Sequence, residues 1–300
     1  MKYIGLNGRI VEAAEAVVPV MDHGLLYGMG VFETFRTYGG RPFLLERHLE
    51  RLNQSCEQLG IARKAEPSMV SHWISVLMEA NGLQDAYIRY TVTAGEGLLG
   101  LPTERYMNPT EILLAKELPS VSQAVYENGR PVRLLSLPRN TPESPVRMKS
   151  LHYMNNILAK RELDQYPALE DGPAEGLMLT VEGNLAETIV SNIFFVRKGR
   201  LCTPDISTGI LPGITRALIL ELAERLGIES EEGRYRWSDL LEADEVFTSG
   251  SVQEIVPITT LIGSNNLIVR IGQGKIGPLT HQLLNAYREK AGQIHEDNDL

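Results

Sequence analysis

Residues 187–216 read ETIVSNIFFVRKGRLCTPDISTGILPGITR, and how this stretch is parsed decides the reading of the whole chain. Its first part continues a series of short strands: EGLMLT before it, then IFFV and RLCT, with Glu182-Gly183-Asn184 supplying a turn. Its last part, LPGITR, opens a helix. Leu218, Ile219, Leu222 and Leu226 recur at helical spacing from Ile214 onward, and Gly227 stops the pattern. At such a start the amides of Ile214 and Thr215 lack intrahelical acceptors, the dipole favours an anion, and the Thr215 hydroxyl adds a donor. Taken alone, LPGITR is equally well read as an ordinary glycine-containing turn.

The flanking segments extend the alternation of strand and helix. Upstream, PVRLLSL reads as a strand and RNTPESP as a turn, followed by RMKSLHYMNN at 147–156. Here Lys149 precedes a run that reads as largely buried, with Leu151, Met154, Ile157 and Leu158 on one helical stripe. An ammonium in apolar company is costly without a partner. Snorkelling of its stem to water is the ordinary explanation. Downstream, TSGSVQEIVP at 248–257 is a strand-end turn rich in hydroxyl donors. In the N-terminal part, Ile4 to Val11, Val31 to Tyr38, AYIRYTVTAG and ILLAKEL read as strands, with Gly39-Gly40 as a hairpin turn ahead of Pro42 to Leu45. Helices are expected over Glu46 to Leu59, with Leu49, Leu52, Cys56 and Leu59 on one stripe and Gly60 as its stop, and over Pro67 to Ala80. The polar stretch PSVSQAVYENGR reads as a linker. The expectation is two α/β domains, 1–119 and 120–300.

Composition narrows the function. The 300 residues are 43% hydrophobic with a formal net charge of -9, enough chain for a large core and a poor match to non-specific nucleic-acid binding. Cys56 and Cys202, with no CxxC, suggest neither a disulfide framework nor a metal site. MKYIGLNGRIVEAAEAV lacks a sustained apolar core, and no run of ~18 apolar residues occurs, so the expectation is a soluble, cytoplasmic protein with no membrane partner. Gly28-Met-Gly30 begins like a dinucleotide fingerprint, but strand-like alternation follows where a helix is required. No HExxH and no GxSxG occurs. His23 and His152 read as structural.

The 187–216 stretch, with Glu187 five residues before Asn192, then Phe194, Thr203 and Leu211 to Arg216, resembles the class IV aminotransferase pattern. PVMDHGLLYGMGVFETFR and TSGSVQEIVP extend the resemblance over most of the chain. The resemblance implies the two-domain α/β architecture of fold type IV, pyridoxal 5'-phosphate as cofactor, and a homodimer with cofactor clefts between the two domains. It also implies roles. Lys149 would carry the cofactor and move protons, its amine made accessible by a partly apolar setting. Glu187 would keep the pyridine nitrogen protonated. Arg51, Ile214, Thr215 and Ser251 would hold the phosphate. Tyr153 would sit near the phenolic oxygen, and Tyr27, Phe32 and Arg89 would line the substrate pocket.

Within the family, the segment after RYTVTAG is EGLLGLPTE, without the Arg-x-His carboxylate trap of D-amino-acid aminotransferases. KSLHYMNN replaces the KAGGNY segment of branched-chain enzymes and is shorter by a residue. DHGLLYGMGVFETFR and RNTPESPVRMKSLHYMNNILAKRE resemble most the 4-amino-4-deoxychorismate lyases of Gram-positive bacteria. Such a reading implies aminodeoxychorismate as the small-molecule substrate and Arg36, Arg89, Arg139 and Arg147 as an arginine-rich approach to its carboxylates.

Overall fold

The computed structural model describes residues 1–167 and 172–296, which fold as two compact units. Of the described residues, the first unit comprises Met1–Pro119, Met148–His152 and residues 291–296; the second comprises those within Ser120–Arg147 and Tyr153–Lys290.

The first unit opens on β1 (Tyr3–Leu6) and β2 (Arg9–Glu12), which pair antiparallel. The single strand expected over Ile4 to Val11 is thus a hairpin. Asn7 and Gly8 both have positive φ, +49° and +77°, and turn the chain back on itself. Then come α1 (His23–Tyr27), β3 (Gly30–Tyr38), β4 (Arg41–Pro42), α2 (Leu45–Gln58), α3 (Pro67–Ala80), β5 (Tyr87–Thr93) and β6 (Thr110–Lys116). Among the described residues they form an antiparallel sheet in the order β2-β1-β6-β5-β3-β4. Gly30 starts a strand, where a dinucleotide fingerprint would require a helix. Alternation in β3 and β5 sends Val31, Phe35, Ile88, Tyr90 and Val92 to one face. There they meet Leu49, Leu52 and Cys56 of α2 and Val70, Trp73, Ile74 and Leu77 of α3. Pro67 at the first turn of α3 starts that helix where its missing N–H costs nothing.

The second unit begins with α4 (Gln123–Asn128), inside the stretch expected to be a linker. Ser122 accepts a hydrogen bond from Ala124 N–H and Tyr126 is buried, so a short capped helix replaces the expected coil. There follow β7 (Arg130–Leu134), α5 (Met154–Leu163), β8 (Glu175–Leu179), β9 (Leu185–Thr188), β10 (Asn192–Arg197), β11 (Arg200–Pro204) and α6 (Ile214–Arg225). After these come β12 (Ser230–Gly233), α7 (Trp237–Leu241), β13 (Glu245–Gly250), β14 (Glu254–Ile262), β15 (Ile268–Arg270) and α8 (Pro278–Glu296). The sheet runs β12-β11-β10-β13-β14-β7-β8-β9, with β15 paired to β14, and mixes parallel with antiparallel pairs.

The expected stripe on α5 is corrected. Met154, Ile157 and Leu158 are exposed and Leu151 precedes the helix, while Asn156, Ala159 and Leu163 face inward. The inward face includes a polar residue because the Asn156 side-chain N–H donates to Ile189 O, which an apolar pattern cannot register. Likewise the run from Lys149 to Met154 is half-buried or exposed, not largely buried. No helix among the described residues is long and apolar enough to cross a membrane.

Candidate active site

In the first unit, Lys149 lies on a short extended segment laid against the edge of β3. Phe32 N–H donates to Lys149 O at 2.9 Å, Leu151 N–H donates to Gly30 O at 3.0 Å, and Val31 pairs with Ser150. The lysine is therefore placed by sheet pairing rather than by a helix. Its Nζ lies 4.8 Å from the centroid of the buried Phe32 ring, and the Arg89 guanidinium lies 3.6 Å from the same centroid. Lys149, Phe32 and Arg89 thus come together on one face of the sheet. Tyr27 ends α1, packs edge-on to His23 at 4.8 Å and accepts from Gly100 N–H at 3.0 Å. Both ring nitrogens of His23 are engaged: Nε2–H donates to Leu98 O at 3.0 Å, which leaves Nδ1 to accept from the Tyr106 hydroxyl, also at 3.0 Å.

Arg51 is placed differently. Glu33 neighbours Phe32 in the strand and so faces α2, where Arg51 Nε and Nη2 donate to its two oxygens at 2.8 and 2.7 Å. His48 Nδ1–H donates to the same carboxylate at 2.6 Å. Burial alone would raise Glu33, but the Arg51 charge and the bonds from His48 and Arg51 outweigh it and hold the carboxyl at about 2. Burial also pushes His48 below its ordinary value, against the bond to Glu33, and the charges of Arg51 and Lys149 act in the same direction as burial.

In the second unit, Glu187 is the buried centre of a polar cluster. Arg139 Nε donates to Oε1 at 2.8 Å, with Arg147 Nε 3.9 Å from the same oxygen, and Leu211 N–H donates to Oε2 at 3.0 Å. Arg139 also reaches Asn155 Oδ1 at 2.8 Å and Asn156 Oδ1 at 3.3 Å. Arg147 Nε donates to Gly209 O at 2.5 Å. Burial and the neighbouring Arg139 pull Arg147 down to about 10. Two of the four arginines expected to form a substrate approach are therefore committed to Glu187 and its surroundings. The sequence signal for that role is a pair of arginines bracketing the proline-rich NTPESPV segment.

Asn192 joins this cluster to the start of α6. Its side-chain N–H donates to Leu211 O at 3.0 Å and lies 3.5 Å from Glu187 Oε2. A Cβ on Gly213 would overlap Asn192 Oδ1, so the glycine of LPGITR is a packing requirement. Gly213 caps α6 and offers no side-chain bond to the amides of the first turn. Ile214 starts the helix, and Thr215 Oγ1 lies 3.2 Å from Ser251 Oγ on the turn between β13 and β14. Phe194 stacks on Phe247 at 5.0 Å, Thr203 donates to Ile193 O at 2.9 Å, and buried Arg216 donates to Pro204 O at 2.8 Å. Tyr153 occupies the N-cap position of α5.

The sequence model of the class IV amino-transferase family matches residues 30–261, a span that holds every sequence-predicted site residue except Tyr27. The chain belongs to the class IV aminotransferases. It is 41% identical over 261 residues to the aminodeoxychorismate lyase of Bacillus subtilis, covering 86% of each chain. It is 36% identical over 289 residues to a putative branched-chain-amino-acid aminotransferase of Methanocaldococcus jannaschii, covering 95% of each. Among solved structures, the branched-chain amino acid aminotransferase of Thermobaculum terrenum in its PLP form superposes with a TM-score of 0.80 at 31% identity, over 97% of this chain and 94% of that one. The class IV aminotransferase has the α/β architecture of fold type IV, as the resemblance implied.

Proposed function

We propose that this class IV aminotransferase is a 4-amino-4-deoxychorismate lyase, releasing pyruvate from its substrate to leave 4-aminobenzoate on the route to folate. Pyridoxal 5'-phosphate is the cofactor, and the residues present fit it. Glu187 keeps lone pairs beyond those used by Arg139 and Leu211, so it can accept from a ring N–H. The start of α6 with the Thr215 and Ser251 hydroxyls suits a phosphate. When bound, the cofactor supplies an electron sink that takes up an electron pair as a proton leaves and returns it as the leaving group departs.

The chain's own groups do the rest. Lys149 Nζ holds the cofactor and, once displaced by the substrate amine, takes the proton from the ring carbon that bears that amine. The same proton balances the reaction, because the departing enolpyruvate needs one to become pyruvate. Glu187 holds the cofactor ring through its nitrogen, and Arg139 fixes that carboxylate. Arg89, Phe32 and Tyr27 line the substrate side, with Arg89 as the carboxylate partner. Arg51 is assigned to the phosphate by resemblance, with Nε and Nη2 already engaged by Glu33.

The similarity to the Bacillus subtilis lyase carries this reading, supported by the absence of an Arg-x-His segment after β5. Supplied with aminodeoxychorismate and no keto acid, the enzyme is expected to release 4-aminobenzoate and pyruvate in equal amounts. With L-leucine or D-alanine and 2-oxoglutarate, kcat/KM is expected to be at least ~100-fold lower, roughly 2.7 kcal/mol in barrier. Efficient glutamate formation without 4-aminobenzoate would make it an aminotransferase, as the Methanocaldococcus relative is described.

A further inference from the structure

The turn that presents Ser251 is held more firmly than a hairpin of its length requires. Gly250 at the end of β13 pairs with Glu254 at the start of β14, so residues 251–253 form the whole connection. Glu254 has φ +62°, a left-handed conformation that a glycine would adopt freely and that strains a longer side chain. Its carboxylate is buried, and Arg288 Nε on α8 donates to it at 2.8 Å. The Arg288 guanidinium lies 4.4 Å from the ring centroid of Tyr126, on α4. The Tyr126 hydroxyl donates in turn to Gln253 O at 3.4 Å, and Arg130 Nη1 on β7 donates to Gln253 Oε1 at 3.1 Å. Groups from α4, β7 and α8 therefore close on one turn.

At a backbone conformation suited to glycine stands a glutamate whose buried carboxylate is tied to α8. That carboxylate is the handle by which α8 grips the turn. We infer that Arg288, braced by Tyr126 and acting through Glu254, is a positioning residue for the phosphate subsite formed by Ser251, Thr215 and the start of α6. The inference rests on the cofactor reading above and names residues outside it.

The test compares binding of pyridoxal 5'-phosphate and of pyridoxal, which lacks the phosphate, to the full chain freed of cofactor. Arg288→Met is expected to weaken the phosphate-bearing ligand about tenfold, the scale of one charge-assisted hydrogen bond, and pyridoxal less than about twofold. The 31P signal of the bound cofactor should move with it. Glu254→Gly keeps the φ but removes the handle, so it should weaken the phosphate-bearing ligand similarly, and the double variant should be no worse than either single. Should Arg288→Met not fold, Arg288→Lys, which lacks the Nε donor, carries the same comparison. Equal weakening of both ligands, or of neither, overturns the inference. Thr215→Val and Ser251→Ala separate it from the cofactor reading: if they lower the preference for the phosphate-bearing ligand and Arg288→Met does not, only the positioning role fails. If none of the variants changes that preference, the phosphate assignment itself fails.

Discussion

Lys149 and Lys160 carry the same charge in different settings. Lys160 is on the outer face of α5, 59% exposed and paired with Asp164 at 2.5 Å, the setting of an ordinary surface ion pair. Lys149 is half-buried beside Phe32 and shares that ring with Arg89. Borohydride reduction of the cofactor-loaded enzyme should place the pyridoxyl label on Lys149. Lys149→Ala should lose turnover entirely while retaining cofactor through Thr215 and Ser251. A label recovered on Lys160 would reverse the assignment.

At the scale of single elements, α2 and α6 make separate demands. On α2, Glu33, His48 and Arg51 form a buried charged cluster against β3. Glu33 is held at about 2 against an ordinary 4.5, and His48 also lies below its ordinary 6.5. In both cases the unfolded chain binds more protons than the folded one between the two values, so stability falls as the pH falls. The Glu33 contribution is fully present above about 4.5 and is lost by about 2, on the order of 3 kcal/mol. Urea unfolding across that window should show the loss in the parent and a flatter profile in Glu33→Gln; parallel profiles would refute the coupling. At the start of α6, Gly213→Ala would drive a methyl into Asn192, at a cost of about 1–3 kcal/mol for overpacking. Cofactor affinity should drop with it, and a titration that finds parent affinity would show that the α6 start takes no part in the site.

For the whole molecule, the exposed apolar side chains bear on assembly. Leu98, Leu99 and Leu101 are 88%, 74% and 90% exposed on a loop tied to α1 through His23 and Tyr27, and Leu25 on α1 is 67% exposed. Apolar groups concentrated in this way are the kind of surface that a partner chain buries. A homodimer is the expected assembly, as the family resemblance implies. Sedimentation of the parent should give the mass of two chains, and Leu99→Asp with Leu101→Asp should shift it toward one; a monomeric parent would exclude this assembly.

The boundaries of α3 and the starts of β3 and α6 are legible in the sequence to within a residue, because local signals mark them: Pro67, the alternation after Met29, and the glycine before Ile214. The family pattern also singles out Lys149, Glu187, Thr215 and Ser251. What the pattern cannot contain is partnership. The apolar stripe on α5 points to the wrong face because Asn156 is buried by a hydrogen bond to Ile189, a residue distant in sequence. Arg139 and Arg147 look from the sequence like groups reaching for substrate, and only folding shows them turned onto Glu187 and Gly209. Sequence by itself determines periodicity, turn chemistry and the types of group available, since these depend on neighbours along the chain. Which charge meets which counter-charge is decided by tertiary structure, because burial makes an unpaired ion too costly and selects its partner from elements that no local pattern connects.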